Sequence, residues 1–296
     1  YIYYAQYRNK YYTSRSIMRA AIDIGSNSIR LALSDGTGRS TITKLADGLE
    51  ATGKLSPAGV IATIAALREY SDACRAAGCD EITVFATEAV RRANDGAEFC
   101  SAVKAQAHLD VIILSPDQEA RLALAGVTKP DGAITVCDLG GGSLEVICSA
   151  DGKTPSYIKS LPLGVVVMKN KFNGDYRRAI DELPALLREY GDVPNYPVVI
   201  AGGSACTIAA GILDLKVYDK TKVSALFTAK QLDDIMPILL SPKLALFRPV
   251  CQKRADTLPY GAIVIQALLN YLGATEFFVS DASNLEAVLN GALDVM

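Results

Sequence analysis

Two ten-residue segments hold the residue types best suited to chemistry. AIDIGSNSIR, from Ala21 to Arg30, and VCDLGGGSLE, from Val136 to Glu145, superpose without gaps, so that Asp23 matches Asp138, Gly25 matches Gly140 and Ser28 matches Ser143. In each, an aspartate ends an apolar run and small residues follow, a pattern that leaves backbone amides pointing into one concavity as an anion nest. Gly140, Gly141 and Gly142 permit close backbone approach, and Asn27, Ser28 and Ser143 add side-chain donors. A bare carboxylate repels phosphate, so Asp23 and Asp138 call for a hard divalent cation, Mg2+, which keeps waters and bridges carboxylates to phosphate oxygens. One such turn is more often a structural hairpin; two matched copies point to a phosphate cleft.

Strands must hold these turns. Arg19 to Gly25 reads as a buried strand, Ile29 to Ser34 as its hairpin partner and Arg39 to Leu45 as a third strand. After Pro57, Val60, Ile61, Ile64, Leu67 and Tyr70 recur near helical spacing up to Gly78, and a strand follows from Ile82 to Ala86. A helix from Ala97 to Ala107 leads to a strand from Val111 to Leu114, and Pro116 then opens a helix whose first turn holds Glu119.

The second half begins the same way, with strands at Ala133 to Asp138, Ser143 to Ser149 and Thr154 to Leu161, a helix from Tyr176 to Tyr190 and a strand from Val198 to Ala201. Helices follow from Ala205, near Lys230 to Leu240 and at Gly261 to Leu272, then a strand from Phe277 to Ser280 and a last helix from Asn284. The repeated order predicts an α/β protein of two related domains, over 18–130 and 131–296, behind a tyrosine-rich arm at 1–17 that is foreign or accessory to them.

Composition narrows the function classes. Thirty lysines and arginines against 32 aspartates and glutamates leave no global basic field, so neither nucleic acid nor an anionic membrane is an expected partner. The longest uncharged stretch, Val193 to Leu213, contains Pro194, Pro197, Gly202 and Gly203, which is not how a membrane span is written. The first seventeen residues lack the apolar core of a signal peptide. Seven scattered cysteines, with no pair at two-residue spacing, predict reduced thiols in a cytoplasmic protein.

These segments resemble the exopolyphosphatase and guanosine pentaphosphate phosphohydrolase family of the actin, sugar kinase and Hsp70 superfamily. DIGSNSIR is similar to its first phosphate motif, which would give Gly25, Ser26, Asn27 and Ser28 phosphate contacts, and DLGGGSLE to its second, with Gly140 to Ser143. ATEAVRRANDGAEF, from Ala86, resembles the segment bearing an arginine that lines the cleft, here Arg91. SPDQEARLALAGV, from Ser115, resembles the segment of the catalytic glutamate, which falls on Glu119. SLPLGVVVMKNKF and AGGSACTIAA resemble later turns, and RADTLPYGAIVIQ resembles a segment whose arginine, here Arg254, faces the substrate.

The resemblance implies two ribonuclease-H-like domains, a homodimer, and magnesium-dependent hydrolysis of the terminal phosphoanhydride of inorganic polyphosphate. It does not imply the C-terminal helical extension of longer relatives. Guanosine pentaphosphate as substrate, a kinase of the same superfamily and a non-catalytic polyphosphate or alarmone sensor stay open as alternatives. On pattern alone, Glu119 would only complement a helix dipole, worth roughly 0.3 to 1 kcal/mol, while Arg91 and Arg254 would be ordinary surface cations. His108, the sole histidine, reads as a solvated residue between a helix and a strand.

Overall fold

A computed structural model describes residues 17–127, 131–241, 244, 254–281 and 284–293; the tyrosine-rich arm through residue 16 and the expected boundary at 128–130 lie outside these residues. The first half runs β1 (Arg19–Ile24), β2 (Ser28–Leu33), β3 (Gly38–Ile42), α1 (Leu49–Thr52), α2 (Pro57–Ala76), β4 (Glu81–Ala86), α3 (Glu88–Arg92), α4 (Gly96–Ala107), β5 (Val111–Ile113) and α5 (Pro116–Gly126). Its sheet has the order β3-β2-β1-β4-β5. The first three strands form an antiparallel meander, and β4 and β5 add in parallel.

The second half repeats the plan with β6 (Ile134–Leu139), β7 (Leu144–Ser149), β8 (Tyr157–Leu161), α6 (Val165–Phe172), α7 (Tyr176–Leu187), β9 (Val198–Ala201) and α8 (Gly203–Ile212). It continues with α9 (Lys220–Val223), β10 (Leu226–Thr228), α10 (Ala229–Leu239), α11 (Leu258–Leu272), β11 (Glu276–Ser280) and α12 (Asn284–Leu289). The sheet order is β10-β11-β9-β6-β7-β8. Apart from β10, a short antiparallel edge strand too brief to show alternation in the sequence, the two sheets share one connectivity. This is the α/β architecture of two ribonuclease-H-like domains with an intervening cleft.

The two hairpins also share a register: Asp23 stands opposite Arg30, and Asp138 stands opposite Glu145. Identical topology thus places an arginine beside one aspartate and a glutamate beside the other.

Helix α5 joins the two halves by packing on both. Pro116 occupies its first turn, where no amide is needed, and Ser115 and Gln118 form a reciprocal capping box. Ala120, Ala123, Leu124 and Val127 pack with Ile134, Val136, Ile147, Val199 and Ala201 of the second sheet. Leu122 packs instead with Ala21, Phe85 and Leu114 of the first. The last helix, α12, returns to the first sheet, where Leu285, Ala287 and Val288 join the cluster around Leu122.

Because Leu122 is fully buried where α5 meets the first sheet, Leu122→Ala is expected to destabilise the protein by about 2 to 5 kcal/mol through lost burial and a residual cavity. Urea denaturation checks this; a loss below about 1 kcal/mol would mean that α5 is not wedged as described.

Candidate active site

Each turn closes on the same backbone bond, from Gly25 N–H to Ser28 O at 3.1 Å and from Gly140 N–H to Ser143 O at 3.0 Å. The chain that follows takes up the turn's carbonyls. Asn27 O accepts from Thr43 and Lys44, and Ser26 O from Ala46; Gly140, Gly141 and Gly142 carbonyls accept from Val165, Val166 and Gly164. The amides of Ser26, Asn27, Gly141 and Gly142 have no backbone partner among the described residues, the arrangement that makes a nest for an anion.

The two turns abut. A Cβ on Gly141 would fall 2.7 Å from Ser26 Cβ, so glycine is required there by the approach of the opposite turn. Between them lies a cavity of about 80 Å3 lined by Asp23, Gly25, Ser26, Asn27, Ser28, Glu119, Asp138, the 140–143 turn and Arg254. Sequence reasoning nominated every one of these residues.

The charges around this cavity are uneven. Arg30 donates to Asp23 Oδ2 from Nε, at 3.2 Å, and from Nη2, while Asp23 Oδ1 is buried with no hydrogen-bond partner. Burial alone would lower the Arg30 pKa, but Asp23, Asp138 and Glu286 outweigh it and hold the guanidinium charged. Across the cleft, burial raises Asp138; Arg30 partly offsets this and Asp23 adds to it. Glu145 is raised to about 7 by burial and by Asp138, against hydrogen bonds from Ser143 and Ser160 that favour its ionised form. Ser160 Oγ donates to Glu145 Oε1 at 2.6 Å. Arg254 is pushed down by desolvation and by neighbouring Arg30, two partly buried cations facing space that an anion would fill.

Glu119 projects from the first turn of α5 and is buried. Arg91 Nη1 donates to Glu119 Oε2 at 3.0 Å and to Leu114 O at 2.7 Å. Burial and Glu145 raise Glu119 well above the carboxylate range, and Arg91 moderates the rise. A carboxylate held this way accepts a proton at neutral pH far more readily than an ordinary glutamate. Arg91 itself stands behind Glu119 and does not line the small cavity; it borders a neighbouring one of about 810 Å3. His108 caps α4 in the left-handed region, at φ 57°, and is exposed.

The structure adds Arg30, Glu88, Glu145 and Asn284 to the lining. Arg30 and Glu145 close the two superposed segments, and their opposite charges at matched positions were a readable signal. Glu88 is fixed by Arg92, which also reaches Glu50 at 2.7 Å; within ATEAVRR nothing marked it out. Asn284 had no signal, because its approach to the cleft depends on where the last helix packs.

Comparison with known proteins identifies the family and the fold. A family model described as the Ppx/GppA phosphatase family matches residues 33–295. Exopolyphosphatase 1 of Mycobacterium tuberculosis is 29% identical over 212 residues, covering 66% of this chain and 59% of that protein. The chain thus spans under two thirds of the length of that relative. A solved structure of the Aquifex aeolicus PPX-GPPA enzyme superposes with a TM-score of 0.76 at 30% identity, covering 93% of this chain and 99% of the other. An exopolyphosphatase from Cytophaga hutchinsonii, at 18% identity and TM-score 0.81 over 94% and 98% of the two chains, shares the fold.

The Glu145 environment has a consequence for stability in metal-free buffer. Its pKa is raised from 4.5 to about 7 in the fold, so the contribution of the bound proton is complete below pH 4.5 and is lost as pH rises through 7. Glu145→Gln keeps the shape without the charge and is expected to stabilise the protein at pH 8 by on the order of 1 to 3 kcal/mol, with little effect at pH 5. Urea midpoints at the two pH values check this; an equal effect at both would refute it.

Proposed function

The chain belongs to the Ppx/GppA phosphatase family, and from that premise we propose that its cleft hydrolyses the terminal phosphoanhydride of inorganic polyphosphate and releases phosphate. The observation that carries the reading is Glu119: a buried carboxylate of raised proton affinity, bonded to Arg91, beside two amide-lined turns.

In this mechanism the terminal phosphoryl group sits between the turns. The amides of Ser26, Asn27, Gly141 and Gly142, the hydroxyls of Ser28 and Ser143, and the Arg254 guanidinium take its non-bridging oxygens. Glu119 accepts a proton from water as the water oxygen bonds to phosphorus. The bridging P–O bond breaks, and the shortened chain leaves with the electron pair. Arg91 keeps Glu119 oriented and its pKa within working range.

The acceptor set fits a divalent cation. The lining holds five carboxylates, Asp23, Glu88, Glu119, Asp138 and Glu145, against two guanidiniums, Arg30 and Arg254, and Asp23 Oδ1 is an unpartnered buried acceptor. Asp23 and Asp138 are the residues that would hold Mg2+, which usually rests on one or two carboxylates and completes its shell with water and phosphate. When bound, the ion would offset charge on the phosphate chain.

A second reading, guanosine pentaphosphate as substrate, is favoured by one feature. A cavity of about 670 Å3 shares Arg30, Gly202, Gly203 and Arg254 with the phosphate cleft and extends past Ile42, Cys206, Tyr218 and Asp281. That volume accommodates a nucleoside.

Magnesium-dependent phosphate release from polyphosphates of defined length and from guanosine pentaphosphate, measured side by side, tests the proposal and separates the substrates. Glu119→Gln is expected to lower kcat by roughly 100-fold or more; wild-type turnover in this variant would remove Glu119 from the reaction. Arg91→Gln is expected to move the acid limb of the pH–rate profile upward by about one unit, because the positive charge that lowers the Glu119 pKa is lost. A limb that stays put or moves down would contradict that coupling.

A further inference from the structure

One carboxylate oxygen collects cations from both halves of the protein. Asp256 Oδ2 accepts from Lys44 Nζ at 3.2 Å and from Lys169 Nζ at 3.0 Å. Burial would raise the Asp256 pKa, but Lys169 and Lys44 outweigh it and hold the carboxyl below its usual range, so it is ionised at neutral pH.

Each of these three residues belongs to a segment that touches the phosphate cleft. The Lys44 amide donates to Asn27 O of the first turn at 3.1 Å. Lys169 lies on α6, whose start presses on the second turn: the Val165 and Val166 amides donate to Gly140 O and Gly141 O, and a Cβ on Gly164 would fall 2.4 Å from Gly141 O. Asp256 lies in a turn closed by the Thr257 amide on Arg254 O at 3.0 Å, and the Arg254 guanidinium lines the cleft, packed so closely on Gly203 that no Cβ would fit there. The first turn, the second turn and Arg254 are thus joined, each through a short connection, at a single oxygen.

The backbone at Lys44 adds a second observation. It stands in the left-handed region, at φ 55°, which glycine would adopt at less cost. Glycine there would keep the amide bond to Asn27 but could not reach Asp256.

We propose that Asp256 is a positioning residue, one that sets the two turns and Arg254 at the separation the terminal phosphoryl group requires. This rests on the hydrolase reading above. The clasp is partly exposed, so it shifts an equilibrium by a modest factor and adds little to overall stability. Its charge also reaches Arg254, where Asp256 is among the groups that offset the lowering by desolvation and Arg30.

The split between kcat and KM separates positioning from simple neutralisation. Asp256→Asn makes the rim more positive by one charge, so a plain counter-ion role would lower KM for tripolyphosphate and leave kcat unchanged. Positioning predicts instead a kcat about 5- to 10-fold lower under saturating tripolyphosphate and magnesium, with the urea midpoint close to wild type and most of the loss recovered in Asp256→Glu. Lys44→Met and Lys169→Met are each expected to lower kcat, and the double variant to be no slower than the slower single one, because removing either arm breaks the bridge. These lysine variants carry the comparison if Asp256→Asn does not fold. Unchanged kcat in Asp256→Asn, a loss that Asp256→Glu does not recover, or losses that add between the two lysine variants would overturn the inference alone. Wild-type protein that releases phosphate from neither tripolyphosphate nor guanosine pentaphosphate would overturn the hydrolase reading, and this inference with it.

Discussion

The packing of α5 between the two sheets is the constraint on which the rest of the site depends. Small residues, Ala120 and Ala123, let the second sheet approach one side of the helix, while Leu122 fills the contact with the first. A helix held on two sides cannot rotate without breaking one of its contacts. Its first turn is therefore fixed in the cleft, and Glu119 with it. Arg91 reaches the same carboxylate from α3 and also binds Leu114 O, just before α5 begins.

The two turns abut as unequal copies. Each uses the same closing bond and gives its carbonyls to the following loop, so each offers amides to an anion. Their charges differ because the residue opposite the aspartate differs. Arg30 pairs with Asp23, whereas Glu145 adds a buried carboxyl group beside Asp138. The Asp23 side thus carries a compensating cation while the Asp138 side holds protons tightly, and Glu119 is raised by burial and then by Glu145.

Ion pairs tie the halves together at the rim. Asp256, two residues after Arg254, accepts from Lys44 of the first half at 3.2 Å and from Lys169 of the second at 3.0 Å. All three side chains are partly exposed, so the link is weak and screened by salt. The strong coupling between the halves is the apolar packing of α5, with α12 seated beside it on the first sheet.

The sequence by itself determined the two aspartate turns, most of the strands and helices that carry them, and the cleft residues from Gly25 to Ser28 and Gly140 to Ser143. Those features are local: alternation, helical spacing and small residues act over a few neighbours, and gapless superposition reveals the duplication. Glu119 and Arg254 were legible only through resemblance, because a glutamate in a first turn and an arginine before a helix look ordinary. Tertiary structure alone decided the raised proton affinity of Glu119 and Glu145, the place of Arg91 behind Glu119, and the arrival of Glu88 and Asn284 in the lining. Burial and electrostatic potential sum over residues distant in the chain, and the last helix reaches the first sheet only because an apolar surface there remains to be covered.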